Sequence, residues 1–170
     1  MRYAGILSVA FGLAMLSSAF KPARELSVSS PAFTHNGVIP AKYTCEGEDV
    51  SPPLQINNLP ANTRSLAIVL HDPDAKVAGG FTHWVKWNID PMTSIPEGYD
   101  GGKTGMNTLA KHAYKGMCPP DGSHRYYFTV YALDAKLNID INTDKASLEK
   151  KMRGHILAEG ELVGLYEKMK

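Results

Sequence analysis

The sequence predicts a mainly β protein, a two-sheet Greek-key β-sandwich with one or two short helices. Three observations carry this. Several short stretches rich in β-branched and aromatic residues are separated by Gly, Pro and Asx turn signals. Helical periodicity stands out in one segment near the C-terminus. The 170 residues, 44% hydrophobic and 21% charged, suit one domain large enough for a real core.

The elements follow in chain order. MRYAGILSVAFGLAMLSSAF has an early Arg2, an apolar run from Ala4 to Leu16 and small residues at Ser17, Ser18 and Ala19. That is the pattern of a cleavable secretory signal. It predicts a signal peptide over 1–19 and a single domain over 20–170 that is periplasmic or secreted. LSVSS, from Leu26, and PPLQI, from Pro52, are short strand candidates. SLAIVLH, from Ser65 to His71, is a continuous apolar run and predicts a strand buried on both faces. THWVKWNID alternates, which puts His83, Val85, Trp87 and Ile89 on one face.

The stretch from Pro91 to Gly122 has no sustained period and many Gly and Pro residues. A loop of that length in a compact domain points to function or mobility. RYYFTVYALD, from Arg125, is the strongest strand, with Tyr126, Phe128, Val130 and Ala132 on one face. DKASLEKKMRGH, from Asp144 to His155, predicts a helix capped by Asp144, with Leu148 and Met152 on its buried stripe. HILAEGELVGLYEKM returns to alternation and predicts a last strand with Ile156, Ala158, Leu162 and Tyr166 in phase.

Charge and motif content narrow the function classes. The formal net charge is +1 and no basic cluster occurs, so no nucleic-acid footprint is present. No Walker-type glycine loop, GxSxG or HExxH is present, and no cofactor is implied. The two cysteines, Cys45 and Cys118, lack CxxC or zinc spacing. In an oxidising compartment an even count favours pairing, which here closes a loop of about 70 residues worth roughly 4 kcal/mol. Two buried free thiols are the alternative.

HDPDAKVAGGFTHWVKWNID, from His71 to Asp90, loads acids and imidazoles onto a turn between two strands. Taken singly, each residue reads as a solvated turn or a hydrogen-bonded core group. A second polar run, CPPDGSHRYYF, puts His124 just before a strand and Tyr126 two residues on, sharing a face. Asp72, His83, His124 and Tyr126 therefore all sit at or near strand ends beside a Gly/Pro-rich loop.

DPDA…GGFTHWVKWNI, AYKGMCPPDGSHRYYFTVYALD and MRGHILAEGELVGLYEK together resemble the phosphatidylethanolamine-binding protein family, in its bacterial Raf-kinase-inhibitor-like branch. IPAKYTCEGEDVSPPL fits that branch too, and the likeness runs from about Leu26 to Lys168. The resemblance implies a sandwich with a small anion-binding pocket at one end, and a homodimer. It assigns Asp72, His83, His124 and Tyr126 to that pocket, with Met117, Cys118 and Pro119 in a rim from Gly116 to Pro120. It makes Asp74 and Arg125 the residues that brace the pocket, and places Cys45 and Cys118 near its rim. Two departures stand out: Lys76 and Met117 replace prolines usual in the family, and Met117 implies a looser rim.

The chemistry expected of such a cluster is anion capture by imidazole N–H, tyrosine O–H and loop N–H groups. Asp72 repels an anion, but beside a histidine it fixes the tautomer and favours the protonated ring. The ligand expected is a small anion or phosphorylated head group, with a regulatory role or a protein partner. Two alternatives stand beside it. One is a hydrolase or a two-His-one-carboxylate metal enzyme using Asp72, His83 and His124. The other is a pocket that only belongs to the fold.

Overall fold

The computed structural model describes residues 24–169, so the expected signal segment lies outside the described residues. Strand β1 is Arg24–Glu25, β2 Ser27–Ser29, β3 Gly37–Val38, β4 Leu54–Asn57 and β5 Ser65–Asp72. Then come β6 Phe81–Ile89, β7 Ser94–Ile95, β8 Lys103–Thr104, β9 Ser123–Leu133 and β10 Ile156–Glu167. Helix α1 is Lys145–Met152, and Ala41–Tyr43 form a 3-10 turn. The expected two-sheet, mainly β fold is observed. One sheet runs β1-β10-β9-β5-β6-β8, with β3 also on β10, and the other runs β2-β4-β7.

β5 is the centre of the larger sheet, and its apolar run is buried throughout, as expected. Leu66, Ile68 and Leu70 face the core between the sheets, with Leu54 and Ile56 of the small sheet and Phe128 of β9. Ala67 and Val69 face the other way, against Val85, Trp87 and the Leu148 and Met152 stripe of α1. Burial on both faces arises here in antiparallel pairing, because α1 covers the outer face. Asp144 caps α1 by accepting from the Ser147 N–H at 2.8 Å. The helix stops at Met152, short of the predicted His155, where Gly154 takes a φ of 85°.

Two strands break the predicted alternation. The β5–β6 ladder shifts register between Leu66 and Ile68. The shift falls at Asn88, whose φ is 54°, a conformation Asn tolerates. Its side chain exchanges two hydrogen bonds with the backbone of Leu137, at 2.9 and 2.7 Å. Val85 and Trp87 therefore pack outward under α1, and Ile89 turns into the inter-sheet core. β10 shifts between Ile156 and Ala158, so Ile156 packs outward while Ala158, Leu162 and Tyr166 face the inter-sheet core. The aperiodic stretch after Pro91 contributes only the two-residue strands β7 and β8.

Both β6 and β9 run antiparallel to β5. The end of β5 therefore lies beside the starts of both neighbours, and that end carries the polar cluster. Among the described residues no helix is long and apolar enough to cross a membrane. Phe128 is fully buried against Phe33, with ring centres 5.7 Å apart. Phe128→Ala is expected to destabilise the fold by about 3–5 kcal/mol. Urea unfolding should show a lower midpoint with an unchanged slope.

Candidate functional site

Asp72 ends β5 and opens the Asp-Pro-Asp turn. Its Oδ1 accepts from the N–H groups of Asp74 at 2.8 Å and Ala75 at 3.1 Å. Its Oδ2 lies 2.8 Å from Nδ1 of His124, and both side chains are buried. The carboxylate thus shapes the turn and also orients the imidazole. Since Nδ1 donates to it, Nε2 is the His124 atom left for the cavity. One step outward, Asp74 receives a two-pronged grip from Arg125, Nε to Oδ2 at 2.9 Å and Nη2 to Oδ1 at 2.6 Å. That guanidinium holds the Asp74 carboxyl down to about 2. Asp74 and Arg125 brace the turn against β9.

His83 reaches the cavity through a bulge. Leu70 pairs with Trp84 and His71 with Thr82, so His83 is an extra residue in β6. Such a bulge re-aims a side chain. The His83 ring meets Tyr126 edge-on at 5.4 Å and tilts against Phe81 at 4.6 Å. Its Nδ1 lies 2.7 Å from the carbonyl of Lys115. A carbonyl only accepts, so Nδ1 carries the proton. Burial lowers the His83 pKa to about 4, and Nε2 therefore presents a lone pair. Tyr126 is fully buried, and its hydroxyl has no partner among the described residues. Burial, with Asp72 nearby, pushes its ionisation well up and keeps it a neutral phenol.

These four residues border one cavity of about 360 Å³. Its other walls are largely apolar, with Ala75, Phe81, Cys118, Pro119 and Pro120, and with the exposed Val77 and Leu109. Cys118 and Pro119 line it. Met117 does not. It is fully buried in the inter-sheet core, its sulfur 3.6 Å from the Tyr114 hydroxyl. The Met117 backbone bridges Thr44, and its carbonyl accepts from Cys45 N–H at 3.1 Å, so the rim is fastened there rather than loosened. Across the mouth, Lys76 forms an exposed ion pair with Asp121 at 2.5 Å.

The rim also offers fewer backbone donors than its composition suggested. The Gly116 N–H is taken by Asp49 Oδ1 at 2.5 Å, and prolines have no N–H. Asp49 Oδ2 holds the Lys115 ammonium at 2.5 Å as well. A side chain at Gly116 would meet that carboxylate and the Tyr43 carbonyl. Asp49, Lys115 and Phe81 carried no sequence signal, because their roles depend on contacts with distant parts of the chain. Cys45 and Cys118, 73 residues apart, are joined in the structure with Cα atoms 5.5 Å apart, and tie the turn segment to the rim. Among the described residues, no group of three His, Cys, Asp or Glu is placed to hold a metal ion.

The His83 environment sets a pH dependence. The folded pKa is about 4 and the ordinary value 6.5, so the unfolded chain takes the proton first as pH falls. Stability from this group is full above the ordinary value and drains away as pH drops toward the folded one. His83→Asn keeps a donor for the Lys115 carbonyl but does not titrate. Between about pH 7 and pH 5, wild type should lose about 2 kcal/mol more than this variant in urea unfolding. Parallel losses would contradict the assignment.

Comparison with known proteins identifies the family and the fold. The family model described as phosphatidylethanolamine-binding protein matches residues 29–167. A UPF0098 protein of Pyrococcus horikoshii is 49% identical over 155 residues, covering 85% of this chain and 77% of that protein. A crystal structure of a phosphatidylethanolamine-binding protein homologue from Chlamydia trachomatis superposes with a TM-score of 0.82 at 37% identity, covering 86% of this chain and all of that one. That of Escherichia coli YbcL, described as a member of the mammalian family, gives 0.78 at 28% identity, covering 85% and 99%. The chain belongs to the phosphatidylethanolamine-binding protein family.

Proposed function

We propose that this protein binds a small anion, of the kind carried by a phosphorylated head group, in the cavity at the end of β5. The observation that carries this reading is the Tyr126 hydroxyl. It is buried, unpartnered and borders a cavity whose nearest polar neighbours are the rings of His83 and His124. A buried donor left unmade costs about 1–3 kcal/mol, which a ligand oxygen removes. The apolar walls strengthen any hydrogen bond made inside. The family description points to phosphorylated ligands.

Binding is favoured over the two-His-one-carboxylate enzyme by the state of Asp72. Both its oxygens already accept hydrogen bonds from the protein, and His83 turns Nδ1 toward a carbonyl. Calorimetric titration with inorganic phosphate tests the binding reading. Tyr126→Phe is expected to weaken binding by about 1.5–3 kcal/mol, the worth of a hydrogen bond to a charged group. Unchanged affinity would contradict it.

We also propose that the chain is exported and that Cys45–Cys118 is a disulfide in the working protein. The signal pattern ending at Ala19 supports export, and the 5.5 Å Cα separation suits a bridge. Thiol labelling of the unreduced, denatured protein should find no free cysteine. Cys45→Ser should lower stability by about 2–4 kcal/mol. Two labelled thiols would end this proposal.

A further inference from the structure

A second cavity, of about 300 Å³, lies at the edge of the larger sheet, where β8 meets the segments 49–51 and 98–100. It shares no lining residue with the cavity at the end of β5. Lys86 of β6 lines it and is only 1% exposed. Lys42, Lys76, Lys115, Lys136 and Lys145 each pair with a carboxylate, whereas Lys86 pairs with none among the described residues. Its ammonium makes one hydrogen bond there, to the Thr104 hydroxyl at 3.1 Å, so two of its three donors are left. Nζ also lies over the rings of Trp84 and Tyr99, 5.6 and 5.4 Å from their centres.

A buried charge is costly unless it is both hydrogen-bonded and paired. Two ring faces and one hydroxyl recover part of that cost, and burial lowers the Lys86 pKa. The carboxylates that line the cavity do not supply the counter-charge. Asp49 spends its oxygens on the Lys115 ammonium and the Gly116 N–H. Asp100 is exposed and forms no ion pair with Lys86. An entering anion therefore meets one cation, the aromatic walls of Trp84, Tyr99 and Tyr114, and a further negative charge at Asp100. One cation suits one negative charge, and Asp100 opposes more. The ring faces suit a flat, apolar body.

We infer that Lys86 holds the carboxylate of a small organic monocarboxylate in this second cavity, with the ligand's apolar body against the Trp84 and Tyr99 rings. The site is separate from the cavity at the end of β5, and it stands or falls independently of the function proposed there. A carboxylate accepts from the two remaining ammonium donors and completes the pair. In these surroundings a charge-assisted bond is stronger than in water. An uncharged analogue of the same shape fills the cavity but leaves the buried charge unpaired.

Benzoate and benzamide are probes of nearly one shape, and only benzoate is charged at about pH 7. Calorimetry on the disulfide-intact protein should show benzoate binding about tenfold to a hundredfold tighter than benzamide, the range expected of a hydrogen bond to a charged group. Lys86→Met keeps an unbranched apolar chain, removes the ammonium, and should abolish that preference. Tyr126→Phe alters the other cavity and should leave the preference in place. A readout on the unaltered protein needs no variant to fold. In NMR spectra benzoate should shift the indole N–H of Trp84, which lines the cavity, and leave that of Trp87, on the opposite face of β6, where it is. A preference lost in Tyr126→Phe but kept in Lys86→Met would place benzoate at the end of β5 and overturn this inference. Equal binding of the two probes by wild type, or a Trp84 signal that benzoate does not move, would overturn it as well.

Discussion

The Asp72–His124 contact is the interaction on which the site depends. It joins the last residue of β5 to the second residue of β9, its antiparallel neighbour, with both side chains buried. Because Asp72 also accepts two N–H bonds from its own turn, one carboxylate sets the turn, the strand junction and the imidazole orientation together. Breaking a buried pair like this leaves an uncompensated group, which is costly. The antiparallel order β6-β5-β9 does the rest. It brings the starts of two strands to the end of a third, so residues more than fifty positions apart share one wall.

Around that contact the cavity wall is fastened by side chains of its own. Asp49 ties the rim through Lys115 and Gly116, and the Lys115 carbonyl in turn fixes the His83 ring. The Cys45–Cys118 link anchors the same rim to the turn segment. Met117 adds to this from below, packed into the inter-sheet core. Substituting a proline-like position with Met removes a backbone restraint, and burial of the Met side chain supplies another. The polar groups are thereby held by neighbours of their own, which is what a preorganised binding site needs.

Much of this was legible in the residues. The apolar run Ser65–His71, the aromatic run from Arg125 and the Asp144 cap each announced their elements through local physics. The convergence of Asp72, His83, His124 and Tyr126 followed from strand-end positions and from the family likeness. What stayed hidden depends on long-range pairing. The bulges at His83 and Asn88 arise from register against β5, and a residue-by-residue alternation cannot show them. The direction of Met117 and the use of Asp49 depend on where the rim crosses the segment 43–49. The proton on His83 Nδ1 depends on a carbonyl 32 residues away.

The central claim is that two imidazoles in one cavity are both turned by the protein, His124 by a carboxylate and His83 by a carbonyl, so that each spends Nδ1 on the fold and leaves Nε2 for the ligand. Side-chain nitrogen NMR of labelled protein reads this directly. The account predicts that near neutral pH His83 is the neutral Nδ1–H tautomer, and that added inorganic phosphate shifts Nε2 of both His83 and His124 while leaving the other histidines in place. A His83 ring found doubly protonated or carrying its proton on Nε2, or phosphate that moves neither ring, would contradict it.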